Sequence, residues 1–125
     1  MAFRHGEPVF VISVAARLLE MHPQTLRKYE REGLIAPSRT NGNLRLYSDR
    51  DIERLRQVKY LVEERGLNLA GVQLALELTN RLRDLRVRAQ PLDAARAAGG
   101  RPDALCREMD AVLALLGVAD DGATR

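Results

Sequence analysis

The spacing of apolar positions changes several times along the chain, and each change marks an element. Val9 to Ile12 form a short apolar stretch suited to extended backbone. Ser13 is placed to cap a helix running through Met21, with Val14, Leu18 and Met21 at helical spacing. His22 then takes a cap position and Pro23 the first turn of a second helix, which runs through Glu32 and stops at Gly33. Only one or two residues join the two helices, the outline of a helix-turn-helix.

Leu44-Arg45-Leu46 alternates, so one face can pack while the other presents Arg45 outward. Asn41-Gly42 is a strong hairpin signal because both residues tolerate positive φ. A β-hairpin, or wing, is therefore expected over 38–47. Ser48 and Asp51 form a variant capping box opening a third helix, with Ile52, Leu55, Val58 and Val62 inward and Gly66 at its end. Asn68 can cap a fourth helix that places Leu69, Val72 and Leu76 in the core, with Leu74 a further candidate.

From there the steps alternate between four and three. Leu78, Leu82, Leu85, Ala89 and Leu92 make a seam of about two heptads, with Pro91 expected to end or kink the helix. After a break at Ala97–Gly100, Leu105, Met109, Val112 and Leu116 mark a last helix ending at Gly117. The expected organisation is a winged helix-turn-helix domain over 1–77, a dimerisation helix and short C-terminal helix over 78–117, and a disordered tail over 118–125. The fold class is mostly α with a small β-hairpin wing.

Charge sharpens this picture. The 125 residues carry a net charge of +3, all of it in residues 1–70, and the window from Gln24 to Tyr60 holds nine basic and five acidic residues. A local basic excess points to a polyanion. The single cysteine, Cys106, excludes an intrachain disulfide framework and a paired-cysteine zinc site, and makes the reducing cytoplasm the expected compartment. Its place near the Leu105/Met109 stripe suits a partly buried structural thiol, with a redox switch as the other reading. No secretory leader and no apolar run of about 20 residues is visible. Phosphate-loop, dinucleotide and zinc-protease motifs are absent, His5 and His22 lie far from Cys106 in sequence, and no cofactor, metal or enzymatic activity is expected. Arg81, Arg83, Arg86 and Arg88 read as solvated helix faces.

A helix-turn-helix seats the N-terminal part of its second helix in the major groove. That part holds His22, Gln24, Thr25, Arg27 and Lys28. Gln24 suits adenine and Arg27 suits guanine or phosphate, while Thr25 and Lys28 suit backbone oxygens. Tyr29 offers a packing ring and a hydroxyl for phosphate. Arg39, Arg45, Tyr47 and Arg54 are further candidates on the wing and the helix after it.

The run Thr25-Leu26-Arg27-Lys28-Tyr29-Glu30-Arg31-Glu32-Gly33-Leu34 resembles the T-[IL]-R-x-[YW]-E-x-x-G-L signature of MerR-family winged-helix regulators. Arg45-Leu46-Tyr47 and Asp51-Ile52 resemble the family's wing and following helix, with one extra residue between Gly42 and Arg45 relative to the common G-x-R-x-Y. Within the family, Val9–Ala16, Met21–Arg27 and the Asn68-Leu69-Ala70-Gly71 stretch resemble the HspR heat-shock repressor subgroup. The resemblance implies a repressor of chaperone genes that binds double-stranded DNA at an inverted repeat as a homodimer, with the DnaK chaperone as corepressor. Such a repeat needs a twofold protein, which the seam from Leu78 to Leu92 can supply. Two other readings stay open: an activator answering redox or a ligand, and an architectural protein such as an excision factor.

Overall fold

A short strand, β1 (Pro8–Val11), passes directly into helix α1 (Ile12–Leu19). The computed structural model describes residues 6–97 and 104–118, with side chains described through Gln90 on the first segment. The pairing of β1 reaches Val11, opposite Leu46, and this fixes where extended backbone gives way to helix. Ser13 therefore lies inside the first turn, exposed, rather than at the expected cap. The helix also ends before Met21, because Glu20 turns left-handed at φ 54°. Lys59 donates its ammonium to the carbonyls of Leu19 at 3.0 Å and Glu20 at 3.4 Å, satisfying the carbonyl end of α1.

Helix α2 (Pro23–Arg31) starts as expected. His22 Nδ1 accepts a hydrogen bond from the Gln24 amide at 3.0 Å, and Pro23 occupies the first turn, where it lacks no needed donor. Gly33, at φ 79°, closes the helix, and the Leu34 amide returns to the Tyr29 carbonyl at 2.9 Å. Leu26 and Tyr29 face inward beside Ala15, Ala16 and Leu19 of the core.

Strands β2 (Ser38–Arg39) and β3 (Arg45–Ser48) form the wing, but the sheet has three antiparallel strands in the order β1-β3-β2. The turn also differs from expectation. The Thr40 amide donates to the Leu44 carbonyl at 2.9 Å and the Asn43 amide to the Thr40 carbonyl at 2.8 Å, leaving a three-residue loop. Its left-handed residue is Asn43, at φ 66°, not Asn41 or Gly42. The residue that is extra relative to the family pattern is thereby absorbed in a three-residue hairpin loop with its left-handed position last.

Helix α3 (Asp49–Glu63) opens on the complete capping box. The Asp51 amide donates to Ser48 Oγ and the Ser48 amide to Asp51 Oδ2, both at 3.0 Å. Ile52, Leu55, Val58 and Leu61 are buried, with Leu61 taking the place expected of the half-buried Val62.

The chain divides into two compact units between Arg65 and Gly66. In the second, Asn68 Oδ1 accepts from the Gly71 amide at 2.9 Å, and helix α4 (Leu69–Ala97) follows. It runs through Pro91, so the proline does not end it, and the expected domain limit after residue 77 falls within it. Helix α5 (Ala104–Leu115) packs on α4. A forked ion pair joins them, Arg86 Nε to Asp110 Oδ1 at 2.6 Å and Arg86 Nη2 to Asp110 Oδ2 at 3.1 Å. Cys106 and Leu113 are buried whereas Leu105 and Val112 are exposed, so the inward face of α5 is turned by one residue from the expected stripe. The expected tail lies outside the described residues beyond Val118.

Candidate nucleic-acid interface

The surface of α2 follows from its core face. Once Leu26 and Tyr29 point inward, helical geometry puts Gln24, Lys28 and Arg31 on one outward stripe at steps of four and three. All three are exposed; Thr25 and Arg27 are half-buried at its margin, and the exposed His22 caps its start. Because Nδ1 of His22 accepts the capping bond, Nε2 is the nitrogen left to carry the outward proton. Arg31 was not among the sequence candidates, although its spacing from Gln24 and Lys28 was the signal.

The wing meets α2 through one carboxylate. Glu30 Oε2 accepts from Arg39 Nη2 and Glu30 Oε1 from Arg45 Nε, each at 2.6 Å. Arg39 and Arg45 face each other across β2 and β3, so the register itself brings the two guanidinium groups together. Arg39 also donates to the Asn43 carbonyl at 3.3 Å, reaching the wing tip. Burial alone would raise the Glu30 carboxyl, but hydrogen bonds from Arg45 and Arg39, and their charge, hold it below the ordinary carboxylate range. The cluster keeps one net positive charge beside the α2 stripe. Arg45 is thus half-buried against Glu30 instead of directed freely outward.

Three candidates need correction. Tyr47, two residues from Arg45 on the same side of β3, is fully buried and faces the core, not a ligand. Its hydroxyl has no hydrogen-bond partner among the described residues, and burial raises its pKa. Arg54 donates from Nε to the Leu34 carbonyl at 2.6 Å, so it ties the loop after α2 to α3 rather than extending freely from the surface. Tyr29 is also a core residue at 6% exposure; burial first, then Glu63 and Glu32, raise its hydroxyl pKa.

The expected seam is split by the fold of the second unit. Ala89 is buried and Leu82 half-buried, whereas Leu78 and Leu85 stay 50% and 46% exposed. At 100° per residue these pairs lie about 40° apart around the helix, so a two-edged seam can pack one edge and leave the other open. Leu74 and Val87 are also exposed on α4, and Leu115 on α5. The side chain of Leu92 lies outside the described set. No cluster of metal-ligating side chains occurs among the described residues, and no helix there is long and apolar enough to cross a membrane.

Comparison with known proteins agrees with the geometry. Residues 10–79 match the model of the MerR HTH family regulatory proteins. A protein of Streptomyces coelicolor named as heat shock protein HspR is 56% identical over 88 residues, covering 70% of this chain and 58% of that one. The HTH-type transcriptional regulator GlnR of Bacillus anthracis is 37% identical over 73 residues, 58% of this chain and 56% of its own. The HTH-type regulator YfmP of Bacillus subtilis is 39% identical over 72 residues, 57% and 51% of the two chains. The chain thus spans little more than half the length of these three relatives.

Proposed function

Given that the chain belongs to the MerR family of helix-turn-helix regulatory proteins, we propose that it is a repressor of heat-shock and chaperone genes. It binds an inverted-repeat operator in double-stranded DNA as a homodimer, with the DnaK chaperone as corepressor. The observation that carries DNA binding is the exposed Gln24–Lys28–Arg31 stripe set beside the two wing arginines that Glu30 holds. In this reading Gln24 and Arg27 meet base edges, while Thr25, Lys28 and Arg31 meet phosphate. His22 adds a donor at the N-terminal end of the helix, and Arg39 and Arg45 reach backbone phosphates from the wing.

The heat-shock assignment is supported by the 56% identity over 88 residues to the Streptomyces protein named as heat shock protein HspR. Dimerisation is supported by Leu78 and Leu85, whose open edge on α4 offers apolar surface for a second copy. Cys106 is buried in the face of α5 that packs inward, which favours a protein corepressor over a redox sensor.

The deciding experiment titrates the full chain against chaperone promoter DNA and its own upstream DNA, with and without purified DnaK. Site-specific binding tightened by DnaK is the expected result. Tight binding indifferent to DnaK would remove the corepressor, and binding no tighter than to random DNA would remove the regulator.

A further inference from the structure

Glu30 is the acid between the two wing cations that meet DNA in the reading above; left unpaired, Arg39 and Arg45 would attract any duplex regardless of sequence. Instead both are hydrogen-bonded to one carboxylate at 2.6 Å, from strands nine and fifteen residues away in sequence. The carboxylate sits on α2 itself, one residue before Arg31 and two after Lys28. The wing arginines are thus partly neutralised and fixed at a set distance from the outward stripe of α2. We propose that Glu30 is a specificity-determining residue: it restrains Arg39 and Arg45 from binding random DNA, and lets them meet phosphate only when α2 is seated in a groove whose backbone lies where the wing is held.

The inference rests on the DNA-binding reading, and its physical content is separable from it. The remaining N–H groups of the two guanidinium groups stay available to an oxygen that arrives at the right place. A loosely placed phosphate must compete with a charge-assisted, two-armed pair, whereas a correctly placed one does not have to break it. Holding the arginines also avoids freezing two long side chains at the moment of binding. The expected cost of losing Glu30 is therefore discrimination, with random-DNA affinity gained.

The test uses the full chain, a duplex that the wild-type chain selects from a randomised pool, and random duplex of the same length, over a range of salt. Glu30→Gln should bind random DNA roughly threefold to tenfold more tightly, with a salt slope steeper by about one, and its preference for the selected duplex should fall by about tenfold. Glu30→Asp keeps the charge but is too short to reach both arginines, and should lose preference without the full change in slope. Glu32→Gln makes the same charge change at the C-cap of the same helix, on a carboxylate that does not hold the wing arginines, and should leave the preference unchanged. Amide exchange in the DNA-free protein gives a reading independent of DNA: Glu30→Gln should speed exchange at Asn43 and Leu44 but not within α3. An unchanged preference in Glu30→Gln, an equal effect of Glu32→Gln, or unaltered wing exchange would each overturn the proposal. Failure of the wild-type chain to select any duplex would overturn the DNA-binding reading and this inference with it.

Discussion

Tyr47 shows how one atom separates two roles. Its hydroxyl is buried with no hydrogen-bond partner among the described residues, which costs roughly 1–3 kcal/mol. Tyr47→Phe removes that cost without changing the ring, so the variant should melt several degrees higher, by about 4–8 °C per kcal/mol for a unit of this size. DNA affinity should not change; a loss of affinity in titration would return Tyr47 to the interface. Arg27 carries the opposite expectation. Arg27→Ala should cost about 1–3 kcal/mol on the selected duplex and far less on random DNA, and an equal loss on both would make it a phosphate contact. Glu30 predicts a pH dependence. Its folded carboxyl titrates below its ordinary range, so the stabilisation is present at neutral pH and fades as pH falls from that range through the lower folded value. Melting wild type beside Glu30→Gln should show a difference of roughly 1 kcal/mol at neutral pH that vanishes in acid.

Among elements, what was legible was local. The His22/Pro23 start of α2, the Ser48/Asp51 box of α3 and the Asn68 cap of α4 each rest on residues within a few positions of one another. What was not legible depended on partners far along the chain. The apolar run at Val9–Ile12 gives no sign that it pairs with β3, and nothing near Glu30 announces Arg39 and Arg45. Tyr47 was misread because alternation tells which residues share a face but not which face is covered. The stripe on α5 was displaced because apolar residues surround that helix, and Arg86 chose the side through Asp110. The wing turn is a local test of the same lesson. Asn43, not Gly42, holds the left-handed position, so Asn43→Val should destabilise by about 1–2 kcal/mol while Asn43→Gly is tolerated. Thermal unfolding of the two variants reads this directly.

For the whole molecule, the open edge of α4 is where assembly is best probed. Leu85 is 46% exposed in the single chain, so Leu85→Asp adds no buried charge to the protomer. It should convert a dimer to a monomer in sedimentation while the helix content stays constant; a dimer that survives would place the interface elsewhere. Leu82 is a poorer probe because it is half-buried within the protomer, and a charge there disturbs folding and assembly together.

The bridge from Glu30 to Arg39 and Arg45 also bears on descent. A substitution at any one of the three strands the other two: without the acid, two cations crowd each other, and without either cation, the acid keeps a single arm. Three positions spread over sixteen residues should therefore be inherited as a block, with their substitutions arriving together across lineages.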